Sequence, residues 1–251
     1  MFIVSSCDDN EEDSANSSTS NALEITQEVF LKGLTGNYRK AAYFTDGEYV
    51  DAGDSGEGVV WDFSEINTTL FEEYDQSISL CPNTRHCDQY PASDFVEHDL
   101  DFRSNLFYTI NKDEFNFLGF YEEAPIRKTE LKDVELVFKF PIRFGQEFMD
   151  SYFTEESPTA DRTTVETIVD GIGRLITPAG SFEQTLRVKK VRTIFSENIN
   201  GNKISSKIIN YTWIDKEGKR QFLVTHIFSG ENTNTEVLST ALEYLIEYRS
   251  L

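Results

Sequence analysis

The sequence predicts an all-β protein, an antiparallel β-sandwich-like fold with room for two packed β subdomains. Three observations predict it. From Leu23 onward, short apolar runs are separated by Gly, Asn, Asp and Pro turn signals, the punctuation of a strand-rich chain. In the cleanest stretch, 163–169, Val165, Thr167 and Val169 alternate onto one face, which is the period of a strand. Strands recurring at short spacing with Gly and Asn at the turns also suggest sandwich architecture. No repeat at solenoid or propeller spacing is visible.

Taken in order, residues 1–6 read as a truncated signal remnant and 7–22 as an acidic, Ser/Asn-rich tether. Residues 23–140 form the first β subdomain and 141–251 the second. In the first, 42–44, 49–50, 59–63, 106–110, 115–121 and 131–140 are expected as strands, with Asn111-Lys112-Asp113 as a hairpin turn. Residues 64–97 are the longest expected irregular stretch. In the second, strand 163–169 is expected to turn at Asp170-Gly171, return over 172–177 and turn again at Pro178-Ala179-Gly180. Strands 181–194, 203–214 and 220–228 follow, joined at Asn200-Gly201 and Lys216-Glu217-Gly218, because Gly accepts the positive φ of a tight turn. The last element, 242–248, reads as a strand carrying Leu242, Tyr244, Ile246 and Tyr248; an amphipathic helix with Leu238, Leu242, Leu245 and Ile246 as its stripe is the alternative.

Val4-Ser5-Ser6-Cys7 resembles a bacterial lipobox, an apolar residue and two small ones before the cysteine that is acylated. Only Met-Phe-Ile-Val precedes the small residues, shorter than the apolar stretch of about 7–15 residues in a full signal peptide. The expected cause is a misplaced start or a fragmentary sequence. After Cys7, five carboxylates in six residues and a Ser/Asn run follow. Such a segment cannot bury apolar area and reads as a disordered tether. It resembles the acidic export signal of Bacteroidetes surface lipoproteins. These features predict a lipid-anchored protein exposed at the outer membrane, with membrane lipid as partner through the acyl chain.

Cys81 and Cys87 enclose a short polar loop and are expected as a disulfide of an oxidising compartment. A zinc reading would recruit His86 and His98, but structural zinc needs four closed ligands. The formal net charge of −21 argues against nucleic acid, whose phosphates are neutralised by Lys and Arg. No apolar run is long enough for a membrane helix. Charge is also uneven: residues 43–102 carry fifteen Asp/Glu against Arg85 alone, whereas 174–220 carry ten Lys/Arg against four Asp/Glu. Differing solvated faces account for this, or electrostatic complementarity between the halves or with a partner.

Further motifs appear in order: Val59-Val60-Trp61-Asp62-Phe63-Ser64, Phe140-Pro141-Ile142-Arg143-Phe144-Gly145, 169–182 with Asp170-Gly171 and Thr177-Pro178-Ala179-Gly180, and Leu186-Arg187-Val188-Lys189. Together they resemble a β-rich domain family of secreted and surface Bacteroidetes proteins, often placed before a type IX secretion sorting domain. The resemblance covers most of the chain after the tether and implies no catalytic residues. The chain ends at Leu251 without such a sorting domain, in keeping with a lipid anchor. The motifs also have structural explanations: Gly171 and Gly180 suit turns, Pro178 presets φ, and Trp61 and Phe182 suit a core.

Candidate sites are few. Asp46, Asp51, Asp54 and Glu57 lie in a Gly-containing loop and offer Ca²⁺ the oxygen ligands it favours, without the spacing of an EF-hand. Trp61 and Trp213 could stack on sugar rings if exposed, although in alternating strands such residues are expected in the core. Gly53-Asp54-Ser55-Gly56 invites a serine-hydrolase reading, but all three His follow it and Leu223 stands where a lipase-like Asp would precede His226. The segment after Gly56 also reads as strand, not the helix a nucleophile elbow needs. No catalytic residue and no resident metal is assigned. The expected function is non-catalytic binding or scaffolding with a glycan or protein ligand; the alternative is a secreted hydrolase using paired carboxylates or a metal.

Overall fold

The computed structural model describes residues 23–46, 48–81, 84, 86–99, 103–154, 162–197, 203–230 and 237–249. The lipobox, Cys7 and the tether lie outside them, as does the expected turn at Asn200-Gly201. In chain order the elements are β1 (Glu24–Ile25), α1 (Gln27–Leu34), β2 (Gly36–Asp46), β3 (Gly56–Asp62), β4 (Glu72–Leu80), β5 (Phe95–Asp99), β6 (Ser104–Ile110) and β7 (Glu114–Glu123). They continue with β8 (Ile126–Lys139), β9 (Ile142–Arg143), β10 (Glu147–Phe153), β11 (Arg162–Thr177), β12 (Gly180–Glu197), β13 (Lys203–Asp215), β14 (Arg220–Gly230) and β15 (Val237–Arg249).

The fold is all-β, antiparallel and sandwich-like. One sheet holds the strands in the order β10-β11-β12-β13-β14-β15-β2-β4-β5-β6-β7-β8, and β3 adds to β11 as its only parallel pair among the described residues. The sheet wraps round: β8 returns to the β10 segment through the Leu131–Thr154 bridge, and Leu136 N–H donates to Asp150 Oδ2 at 2.6 Å. The layer β4–β8 therefore faces the layer β11–β15, with β2 and β10 joining them. Continuity runs across residue 140, since β15 pairs with β2 over Ser239–Arg249. A two-stranded sheet of β1 and β9 lies beside α1.

Helix α1 packs onto one end of the interior. Thr26 caps it by accepting from Val29 N–H, and Glu28 and Lys32 stand in its first and last turns, each placed to complement the helix dipole. Phe30 meets the rings of Phe115, Phe138 and Phe140 at centroid distances of 5.3, 5.2 and 5.4 Å. Gly33 lets the helix lie on the β13–β14 turn, where a Cβ would come within 2.5 Å of Glu217 O. Around Phe30, Ile25, Tyr38, Ile78, Val188, Leu186 and Ile214 complete the interior core.

Two segments cover the outer faces. Residues 48–71 lie across layer β11–β15, where Trp61 and Phe63 pack on Trp213 and Phe222. The Cys81–Cys87 disulfide, with a Cα–Cα distance of 5.8 Å, holds the second segment against β5–β7. There Tyr90 stacks on Phe107 at 4.2 Å and its hydroxyl bonds Phe120 O and Thr129 O.

Several expectations change. Asp170-Gly171 is not a hairpin turn: β11 runs straight through it, with a bulge between Val169 and Gly171. Gly171 is needed instead because the Trp61 ring lies on it, where a Cβ would sit 2.6 Å from Cζ2. Residues 49–50 are not strand but part of the covering segment, and the expected irregular stretch 64–97 contains β4 and the start of β5. Helix α1 was not expected. The turns at 111–113, 178–180 and 216–218 are present, and 242–248 is strand. Trp61 is buried as expected, while Phe182 is half-buried.

Candidate functional site

On β12, Val188, Lys190 and Arg192 are alternate residues, so all three project to the same face, the inner one. They line an interior cavity of about 360 Å³. Asn210 and Thr212 enter from β13, Arg220 and Leu223 from β14, Glu135, Val137 and Phe138 from β8, and Tyr152 from β10. Leu106, Tyr108 and Phe117 close the opposite layer. A smaller cavity of about 80 Å³ extends toward α1 and shares Thr212, Arg220 and Leu223.

Two ion networks cross the interior. Glu135 receives Lys190 Nζ at 3.0 Å and Arg192 Nη2 at 2.5 Å. Arg192 also donates to Asn210 Oδ1 at 2.6 Å, and Asn210 donates onward to Thr225. Burial alone would push the Glu135 carboxyl up; the two cations outweigh it and hold it below the usual range. Burial dominates at Lys190 and pulls its ammonium down to about 8 despite Glu135. In the second network Arg220 donates to Glu97 at 3.1 Å, Lys40 stands 3.8 Å from the same oxygen, and Tyr38 and Tyr108 donate hydroxyls. Burial raises the Glu97 carboxyl, but Arg220, Lys40 and these hydrogen bonds bring it down to about 2. Glu97 belongs to the acidic stretch and Arg220 to the basic one, so this pair joins the two.

The sequence-predicted candidates lie elsewhere. Trp61 and Trp213 are 2% and 0% exposed; they meet edge to face at 5.9 Å with the Arg187 guanidinium over both rings. They are core, with no ring face open to a sugar. Asp51 caps its own loop by accepting from Gly53 N–H, and Asp54 and Glu57 are exposed, while the Asp46 side chain lies outside the described part. Among the described residues no three His, Cys, Asp or Glu converge as metal ligands. His86 bonds Glu123 and His98 bonds Asn105, so the two do not share a centre.

The cavity residues were missed because each strand taken alone reads as amphipathic. The available signal was the placement of Lys190 and Arg192 on the same strand face as Val188 and Ile194, charges at positions the alternation assigns to the inside. Fold and site together define a sandwich-like β protein with an interior cavity of apolar walls crossed by buried ion pairs. No family model matches the chain, and neither does any curated protein or solved structure.

Proposed function

We propose that this chain is a non-catalytic binding protein, lipid-anchored through Cys7 at the outer-membrane surface, and that its ligand is a small molecule held in the interior cavity. The observation that carries the reading is the cavity itself. Its volume of about 360 Å³ falls in the range of roughly 300–1,000 Å³ typical of small-molecule sites. Apolar walls with a few placed polar groups are also the usual make-up of such sites. This narrows the expected glycan or protein ligand to a molecule small enough to be enclosed. The lipobox-like residues and the resemblance to Bacteroidetes surface domains support the cellular address.

The hydrolase alternative would require one carboxyl held protonated as a general acid, with a raised pKa. Glu97 and Glu135 are both pulled the other way and spent on buried cations. The test uses the uncharged fluorescent probe N-phenyl-1-naphthylamine. Saturable binding at one per chain is expected, lost in Leu223→Trp, which fills the cavity, while the thermal midpoint stays near wild type. No saturable binding, or equal binding by the filled variant, overturns the reading.

A further inference from the structure

We infer that the cavity selects an amphiphile with a single carboxylate-type anionic head, and that Arg220 receives that head. The inference rests on the cavity reading above and goes on to the chemistry of the ligand. The cavity wall carries Lys190, Arg192 and Arg220 against one carboxylate, Glu135. That carboxylate is used up, since Lys190 and Arg192 both bond it. Arg192 has further spent Nη1 on Asn210. Arg220 is different. It gives one N–H of Nη2 to Glu97, and its Nε and Nη1 meet no acceptor among the described residues. Each of the two forked edges of a guanidinium includes one N–H of Nη2, so the second N–H of Nη2 and the nitrogen on its side make the free edge. Its side chain is 33% accessible although it bonds a carboxylate of the facing layer, so the accessible part opens into the interior space.

A guanidinium with a free edge suits a planar, two-oxygen anion, which it can grip with two parallel N–H···O bonds. An ammonium head would instead face three cations with no free carboxylate, an unfavourable desolvated contact. The rest of the wall, Leu106, Phe117, Val137, Val188 and Leu223, offers apolar surface to a hydrocarbon body. The acidic exterior does not attract such a ligand, so selectivity arises from the interior wall.

Displacement of N-phenyl-1-naphthylamine by decanoate, decan-1-ol and decyltrimethylammonium tests the inference. Decanoate should displace the probe at a concentration about tenfold lower than decanol, and the cation should be weakest. Arg220→Lys keeps a positive charge beside Glu97, so the fold is retained, but removes the fork; it should weaken decanoate about tenfold and leave decanol unchanged. Arg220→Met serves as a second variant, checked for folding by its melt, and should abolish the advantage of decanoate over decanol. If the probe itself does not bind wild type, the cavity reading fails and this inference with it. If the probe binds but decanoate has no advantage over decanol, or the ammonium wins, the cavity reading stands and the anionic head is wrong. Unchanged decanoate displacement in Arg220→Lys and Arg220→Met overturns the role of Arg220.

Discussion

Arg187 grips Asp170 at two points, Nε to Oδ1 at 2.8 Å and Nη2 to Oδ2 at 3.0 Å, and turns its remaining nitrogen to Ala52 O and Gly53 O at 2.7 and 2.8 Å. The guanidinium is 2% exposed and lies over Trp61, Tyr211 and Trp213. One side chain therefore ties β12 to β11 and clamps the covering segment 48–63 onto the sheet. His226 reinforces the clamp from β14, with Nε2 at 2.8 Å from Val50 O. Arg187→Met keeps much of the stem but strands Asp170 and two carbonyls. Removing one partner of a buried ion pair costs about 3–5 kcal/mol. The expected outcome is a urea midpoint lowered to match, with new protease cleavage in 48–58. An unchanged midpoint and digestion pattern would show that the clamp is idle.

This cluster also shows how much was legible in the sequence. Trp61, Asp170, Gly171 and Arg187 stood out as motif residues, and turn chemistry accounted for Gly171 because Asp-Gly so often makes a hairpin. The local signal was overridden by a tertiary one, the Trp61 ring lying against the glycine. The second half was readable because β11 to β14 alternate cleanly, and short turns join β11 to β12 and β13 to β14. The first half was not, because β4 reads Glu-Glu-Tyr-Asp-Gln-Ser-Ile-Ser-Leu, polar residues at both faces, and α1 is a helix of only eight residues, too short to show a clear helical period and interrupted by Gly33. Glu97, Glu135 and Arg220 were invisible for a related reason. A charged residue reads as solvent-facing until its partner on the opposite layer is known.

Gly171→Val is expected to be poorly tolerated because of space rather than φ. Its Cβ must displace the Trp61 ring, and overpacking of this kind costs typically about 1–3 kcal/mol. Gly171→Ala should be nearly as harmful, since Cβ alone makes the clash, with no positive φ at this residue to contribute. The discriminating measurement is the double variant Gly171→Ala with Trp61→Leu. It should recover part of the loss of the single variant, and strict additivity of the two melts would remove the ring from the explanation.

Reduction of the Cys81–Cys87 disulfide releases a six-residue separation, for which loop-closure entropy gives about 2 kcal/mol. The effect should be local, because Cys87 and Tyr90 pack on Val96, Phe107 and Leu118 outside the ion-paired interior. Amide hydrogen exchange with and without reductant should show faster exchange in β5 to β7 and unchanged exchange in β12 and β13. Free-thiol labelling of both cysteines in denatured, unreduced protein would dismiss the bond.

Cys7 supplies the prediction for the address. Expressed behind a complete leader, the protein should carry a lipid adduct on Cys7 and partition into detergent, and Cys7→Ala should move it to the aqueous phase. Intact-mass measurement of the membrane fraction with no adduct would refute the anchor. The folded domain should melt identically in both forms, since the anchor precedes every described element.

Acid stability follows from Glu97. Burial favours its protonated form, yet Arg220, Lys40 and the bonds from Tyr38 and Arg220 lower the carboxyl from about 4.5 to about 2. A depressed folded value means that the ionised group stabilises the fold. That contribution is complete above the unfolded value and shrinks as pH falls below about 4.5, until it is gone near pH 2. The size of the shift corresponds to about 3 kcal/mol for a group this deeply buried. Glu135 is depressed by the same logic and adds to the slope, so wild type alone cannot isolate Glu97. Urea melts of wild type and Glu97→Gln at pH 7, 5 and 3 do isolate it. At pH 7 the variant should be weaker by the penalty of leaving Arg220 without its carboxylate, while Lys40 keeps Glu243 at 3.3 Å, and the gap should narrow steadily toward pH 3. A gap of constant size across that range would mean that Glu97 holds these cations no more tightly in the fold than in the unfolded chain.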